Sequence, residues 1–339
     1  MLTRPAIVPE AAIDAAFAPL ADARTLLLAV SGGPDSTALL LMAQAWSQRR
    51  GGAPRLEAAT VDHALRPESA AEARAVDALC ATLGVPHHTL LWEDAKPRSR
   101  IQERAREARY ALLARCAETI GATFVVTGHH LDDQAETVLL RLTRGSGIAG
   151  LRAMSALATH EWATIARPLL GFDKATLVAI CESAGVAFAR DPSNENPRYA
   201  RARLRALAGA LAAEGLDAAA LARLARRAGQ VEDALVRQTA AAEARLRLIE
   251  TNVCDSSALF EEPIEIVQRL LTAAIAGIGG KTARDLSLEK IETLALALRD
   301  AAARGDIFSA NVAGARVRRD AKGLARVERE PPRRGSSRT

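Results

Sequence analysis

The chain has 339 residues, of which 49% are hydrophobic and 25% charged, with a formal net charge of +5. That length can bury a large core and is long enough for two domains, and the composition fits a soluble globular protein. No apolar run reaches the roughly 20 residues that span a bilayer, and no basic start with an apolar core marks a secretory leader. A cytoplasmic protein without a membrane partner is the expectation, and the sequence is compatible with a homodimer. Only five of the 45 basic residues are lysine (Lys96, Lys174, Lys281, Lys290 and Lys322). Arginine's planar fork suits phosphate and base recognition, although a biased nucleotide composition would give the same excess.

In chain order, the apolar run 25–31 reads as a buried strand. It leads into Ser31-Gly32-Gly33-Pro34-Asp35-Ser36 and then a helical pattern over 36–50. Further strands are expected at 56–62, 86–92 and 123–127, with helices at 68–83, 100–120 and from Leu131 onward. Strand–helix alternation with unbroken apolar strands predicts an α/β fold, a doubly wound parallel sheet covered on both faces. Ligands bind such sheets beyond the carboxyl ends of the strands. A Pro-, Asn- and Arg-rich loop spans 190–200, and alanine-, leucine- and arginine-rich helices run to about 250. Residues 258–303 read as helices broken at Gly277-Ile278-Gly279-Gly280, and 306–330 as a small antiparallel sheet. We place a domain boundary near 215, a smaller helical/α+β domain over 216–330, and a disordered tail over 331–339. Cys80, Cys116, Cys181 and Cys254 are widely spaced, each in a stretch that reads as helix, and are expected to be buried thiols.

A glycine turn between strand and helix lets backbone N–H groups approach a phosphate, and the helix N-terminus adds positive potential. Ser31 and Ser36 can donate hydroxyls. Asp35 would repel phosphates unless a cation lies between them, which points to Mg²⁺. No Gly-Lys-Ser/Thr ends the turn, so it is not a Walker loop. Asp62 and His63 follow the second strand, near where an adenosine would lie. Gly128, His129 and His130 follow the fourth, ahead of Asp132, Asp133 and Glu136. On a helix starting near Leu131, Asp133 and Glu136 share a face. The histidines lack a third zinc ligand at the usual spacing and are expected to hold phosphates or orient the loop. Arg106 and Arg109 face the same way on one helix, while Arg104 reads as solvated. Arg198, Tyr199, Arg201, Arg203 and Arg205 form an RNA-contact candidate.

The phosphate turn resembles the PP-loop of ATP pyrophosphatases. Together with 61–66, 105–110, 128–147, the Arg167-Pro168-Leu169 turn and 191–205, in this order, it resembles the tRNA(Ile)-lysidine synthetase family. Ala64 stands where that family usually has glycine and Ala202 where it usually has asparagine. The region after 215 resembles the family weakly and is shorter than in its longer members. The resemblance implies a PP-loop catalytic domain over 1–215 and a tRNA-binding or support domain over 216–330. It implies a ligase that adenylates the wobble cytidine of the isoleucine tRNA with a CAU anticodon, releases pyrophosphate, then joins free L-lysine to carbon 2 and releases AMP. Codon specificity then changes from AUG to AUA. In this reading Ser31–Ser36, Asp62, His63, Gly128 and His129 hold ATP, and Asp35 shares Mg²⁺. Asp133 and Glu136 seat lysine, Arg106 and Arg109 stabilise the adenylate or the cytidine's phosphate, and Arg198–Arg205 meet tRNA. The alternatives are another PP-loop enzyme such as a tRNA thiolase, against which the absence of paired cysteines counts, and a non-catalytic nucleotide- or RNA-binding module.

Overall fold

A computed structural model describes residues 7–63, 69–92, 101–189, 198, 200–280, 282 and 286–331. Its elements run α1 (Glu10–Phe17), β1 (Thr25–Ala29), α2 (Pro34–Arg49), β2 (Arg55–Asp62), α3 (Ser69–Leu83), β3 (His87–Leu91), α4 (Ile101–Ile120), β4 (Phe124–Thr127), α5 (Leu131–Leu142) and the single turn α6 (Ile148–Leu151). They continue with β5 (Leu157–Thr159), β6 (Thr164–Ala166), α7 (Lys174–Ser183), α8 (Ala200–Ala213), α9 (Ala218–Leu246), α10 (Leu248–Thr251), β7 (Val253–Asp255), α11 (Ser256–Leu259), α12 (Ile264–Gly279), α13 (Leu288–Arg304), β8 (Phe308–Val312), β9 (Ala315–Arg319) and β10 (Leu324–Arg329).

The chain divides into two compact units: residues 1–144 with 151–226, and residues 145–150 with 227–339. The division falls inside α9, whereas Gly215, with φ +84°, lies in the turn that precedes it.

The first unit is built on a six-stranded sheet of order β3-β2-β1-β4-β6-β5. All pairings are parallel except that of the edge strand β5 with β6. This is the α/β architecture expected, with an edge hairpin added. The hairpin escaped the sequence reading because β5 and β6 have three residues each, too short for a period to show. The helices divide unevenly between the two faces. On one, Leu26, Leu28 and Val30 pack with Leu39, Met42 and Trp46 of α2, Phe17 of α1, Cys80 of α3 and Leu177, Ile180 and Cys181 of α7. On the other, Leu27, Ala59 and Val125 pack against Leu113, Cys116 and Ala117 of α4. Successive strand residues point to opposite faces, so β1 must be apolar throughout, and Leu26, Leu27 and Leu28 are all fully buried. Strand order reverses between β1 and β4, and the crevice beyond their carboxyl ends is where open α/β sheets bind ligands.

The second unit holds a four-stranded antiparallel sheet, β7-β10-β9-β8, packed on α12 and α13 through Leu270, Leu271, Ile275, Leu294, Leu298, Val317 and Val327. Three strands lie where alternation placed them. β7 was missed, and with it Cys254, which is in that strand and not in a helix. Gly280 and Gly305 close α12 and α13 in left-handed backbone, at φ +64° and +77°. Glu232 of α9 takes a bidentate pair from Arg269 at 2.8 and 2.9 Å within this unit.

Candidate active site

β1 ends at Ala29, and four residues later Gly33 caps α2 with Pro34 in its first turn. Pro34 has the preset φ a helix start needs and no N–H to leave unpaired. Gly32, at φ +83°, turns the chain in a conformation a side chain would strain. The Ser31 N–H donates to Ser36 Oγ at 3.0 Å, the Ser36 hydroxyl donates to the Gly33 carbonyl at 3.1 Å, and the two serine hydroxyls lie 3.2 Å apart. The turn is thus braced by its own side chains at the N-terminus of a 16-residue helix.

Gly128 meets this turn from β4. A Cβ built on it would lie 2.9 Å from the Asp35 carbonyl oxygen and 3.1 Å from the Ser36 nitrogen. Only glycine lets the two strand ends approach this closely.

Asp35 stands at the centre of a charge network. Lys174 Nζ of α7 lies 3.2 and 3.3 Å from its two oxygens, and His130 Nε2 lies 3.6 Å away. The buried His130 ring also faces Asp132 at 3.3 Å and Asp133 at 3.6 Å, and the His130 backbone N–H donates to Asp133 Oδ2 at 3.1 Å. Burial opposes a charge on His130, but Asp132, Asp35 and Asp133 outweigh it and push its pKa up to about 9. Burial likewise opposes the Asp35 carboxylate, and His130 and Lys174 still hold it below the usual range. Asp132 also accepts the Lys174 N–H at 2.9 Å, fixing the start of α7 beside the phosphate turn.

One turn along α5, buried Glu136 is gripped by both nitrogen arms of Arg205 from α8, one at 3.1 Å and the other closer. Asp133 and Glu136 do share the face expected of them.

On the α4 side, arginines gather around His129 and Tyr110. Arg167 is buried, with its Nε unpartnered and one terminal nitrogen donating to the Ser155 carbonyl at 2.9 Å. The guanidinium carbons of Arg106 and Arg109 lie 4.9 and 5.4 Å from the Tyr110 ring centre. Among the described residues the buried Tyr110 hydroxyl makes no hydrogen bond of good geometry, although the Arg109 guanidinium lies beside it. Burial, and then the charges of Arg167, Arg106, Arg109 and Arg201, drive the His129 pKa down to about 3, while Thr127 Oγ1 holds its ring at 2.8 Å. Among the described residues, no carboxylate pairs with Arg106, Arg109 or Arg167. Positive groups gathered without a counter-charge form a site for an anion.

A PP-loop domain model matches residues 7–210. The chain is 46% identical over 345 residues to the tRNA(Ile)-lysidine synthase of Bradyrhizobium sp. (strain BTAi1 / ATCC BAA-1182), covering 96% of each. It is 46% identical to that of Rhodopseudomonas palustris, covering 94% of each. The chain belongs to the tRNA(Ile)-lysidine synthase family. Both matches run over nearly the whole of each chain, so the similarity extends past residue 215. A solved U34-tRNA thiolase, NcsA from Methanococcus maripaludis, shares the fold at TM-score 0.54 and 16% identity, covering 64% of this chain and 76% of that one.

Three groups of the expected site residues lie near one another: the phosphate turn with Gly128, the carboxylates of α5, and the arginines of α4 beside His129. Asp62 is buried and accepts the Ser69 hydroxyl at 2.6 Å, while His63 stands edge-on to Trp92 at 6.0 Å. Arg201, Arg203 and Arg205 lie on α8, and Ala202 is half-buried there. The Arg203 side chain donates to the Arg198 carbonyl at 3.1 Å. Tyr199, Ala64, residues 191–197 and 332–339 lie outside the described residues.

Sequence reasoning missed Lys174, Asp132 as a bridge, and Arg167 as a charge. Lys174 is one of only five lysines, which was a usable signal; its nearness to Asp35, 139 residues away, was not. The four cysteines are free and buried, and burial pushes the Cys80, Cys181 and Cys254 thiols up to about 12. They stay protonated and poorly nucleophilic, unlike sulfur carriers.

Proposed function

We propose that this chain joins free L-lysine to carbon 2 of the wobble cytidine of the isoleucine tRNA bearing a CAU anticodon, using ATP. The observation that carries the reading is the juxtaposition, at the switch point of the sheet, of a phosphate turn, a carboxylate face and an unpaired arginine cluster. In the first step the cytidine O2 attacks the α-phosphorus, the bond to the bridging oxygen breaks, and pyrophosphate leaves. The backbone of Ser31–Ser36 and the α2 N-terminus receive the departing phosphates. Arg106, Arg109 and Arg167 offer a counter-charge to the adenylate or the nucleotide's phosphate. The cytidine must leave the anticodon stack to reach that point.

In the second step the lysine ε-amine attacks carbon 2, the carbon–oxygen bond breaks, and AMP departs with that oxygen. The amine must first lose a proton, and Asp133 or Glu136 receives it. Arg205 on Glu136 supports this assignment, because the carboxylate is already built to hold a long cationic side chain. Arg205 then turns to an RNA phosphate.

Asp35 fits a shared Mg²⁺. It is a single, partly buried carboxylate beside the turn, and Mg²⁺ in such sites takes one or two carboxylates and completes its shell with phosphates and water. Among the described residues no group of three or more His, Cys, Asp or Glu could hold a metal without a ligand's help. Mg²⁺ would offset charge on the leaving pyrophosphate. Lys174 and His130 hold that carboxylate ionised and in place. The arginine-rich second unit is assigned to gripping tRNA, where affinity falls with salt as counterions are released.

The test is mass analysis of the wobble base after incubating the chain with ATP, labelled lysine and unmodified isoleucine tRNA. Lysine incorporation with one pyrophosphate released per base confirms the reading. Pyrophosphate release without lysine, or sulfur incorporation, overturns it.

A further inference from the structure

α4 lies over β1, β2 and β4, and the turn that joins β5 to β6 lies beside it. Between them runs an open groove of about 950 Å³. Arg106, Tyr110, Ala114 and Arg115 line one wall, and Trp162 and Ala163 line the other. Trp162 is 39% exposed, whereas Trp46 and Trp92 are buried at 2% and 5%. Its ring belongs to a row of flat groups. His160 stacks on it at 5.0 Å and 12°, and the Tyr110 ring lies 5.2 Å away, tilted by 40°, with the Arg106 guanidinium 4.9 Å from the Tyr110 ring centre.

An exposed tryptophan costs stability that a buried packing partner would recover. The hairpin does not fold it inward, and instead its stacked rings hold it against the groove. The groove also carries Glu107, Glu118 and Glu161, with Glu107 paired to Arg104 at 3.5 Å. A run of phosphates would be repelled by those carboxylates. A nucleobase is not, because its face stacks on rings and guanidinium planes and its edge offers both donors and acceptors. Arg106 lines the groove and also belongs to the unpaired arginine cluster, so a phosphate held there leads directly to a base in the groove.

We propose that this groove holds one unstacked base of the RNA substrate, a neighbour of the nucleotide that enters the active site, with Trp162 as its stacking surface. The proposal rests on the reading of tRNA as substrate. Its occupant is single-stranded, so it is a base of the anticodon loop and not of the stem.

The experiment uses the full chain and three RNAs: an isoleucine anticodon stem-loop, the same stem closed by a tight four-base loop, and full tRNA. Intrinsic fluorescence sums all three tryptophans, so the part of the signal absent from Trp162→Phe is the part that reports on Trp162. The stem-loop is expected to quench it, the tight-loop control not to, and Trp162→Phe to lose the quench while still binding. Trp162→Ala should weaken stem-loop binding roughly tenfold. Both variants should keep the wild-type affinity for ATP measured without RNA, which shows that they are folded. Binding of the stem-loop without quenching, equal quenching by the tight-loop control, or unchanged affinity in the folded Trp162→Ala protein each overturns the proposal and leaves the lysine-transfer reading standing. Failure of the wild-type chain to bind any of the three RNAs overturns both. Trp162 quenching by a peptide or free nucleotide, with none by RNA, assigns the groove to another ligand and overturns it as well.

Discussion

Gly128→Ala tests the geometry on which the phosphate site depends. The added methyl carbon would lie 2.9 Å from the Asp35 carbonyl oxygen, 3.0 Å from its carbon and 3.1 Å from the Ser36 nitrogen, where ordinary contact begins at 3.4 Å. The obstructing atoms are backbone, so no side chain can swing aside. The turn is braced by the Ser31–Ser36 contacts, and the Thr37 N–H donates to the Gly33 carbonyl at 3.0 Å. The two strand ends must part by about half an ångström, and overpacking of this kind costs about 1–3 kcal/mol. In a unit of this size that lowers Tm by several degrees, at about 2–4 °C per kcal/mol. The larger effect falls on the reaction, because displacing a reacting group by about 1 Å can cost about a hundredfold. Pyrophosphate release with saturating tRNA and lysine is therefore expected to drop at least about tenfold, with a raised KM for ATP. Affinity for tRNA should stay near wild type. Gly209→Ala, on α8 with nothing within 4 Å of the added carbon, serves as a control expected to be neutral or slightly stabilising. A Gly128→Ala protein with wild-type rate and ATP dependence would refute the argument that this contact holds the loop.

Asp35→Ala is expected to abolish pyrophosphate release and spare tRNA binding; adenylation retained at saturating Mg²⁺ would remove Asp35 from metal binding. Glu136→Gln should raise the KM for lysine more than that for ATP, with little loss of Tm because half-exposed Arg205 can turn to water; equal effects on both substrates would count against a lysine seat. The two histidines should bend stability in opposite directions with pH. His130, raised to about 9, stabilises fully below pH 6.5 and loses that contribution as pH rises through 9, so His130→Gln should flatten the alkaline side of a Tm profile. His129, lowered to about 3, stabilises above pH 6.5 and loses that contribution as pH falls toward 3, so His129→Gln should flatten the acid side. Profiles that overlay the wild type would show that neither charge state is linked to folding.

The local elements were legible in the sequence because their signals are short-ranged. Four apolar runs of four to eight residues, separated by helical periods, argue for a parallel sheet, and a glycine turn after the first of them fits a strand-to-helix corner. Asp133 and Glu136 could be placed on one face because three residues of helix set it. The same reasoning was silent wherever partners are distant in sequence. Strand order, with β4 beside β1, is what brings Gly128 against Asp35. Docking of α7 on α2 is what puts Lys174 on that carboxylate, and packing of α8 on α5 is what lays Arg205 on Glu136. The edge hairpin was too short to announce itself, yet it carries Trp162 to the wall of the groove. Periodicity and turn chemistry settled which residues face a sheet or a helix axis. Only burial against distant segments decided which charges meet, because the pairing of a group follows from the space it is packed into and not from its neighbours in the chain.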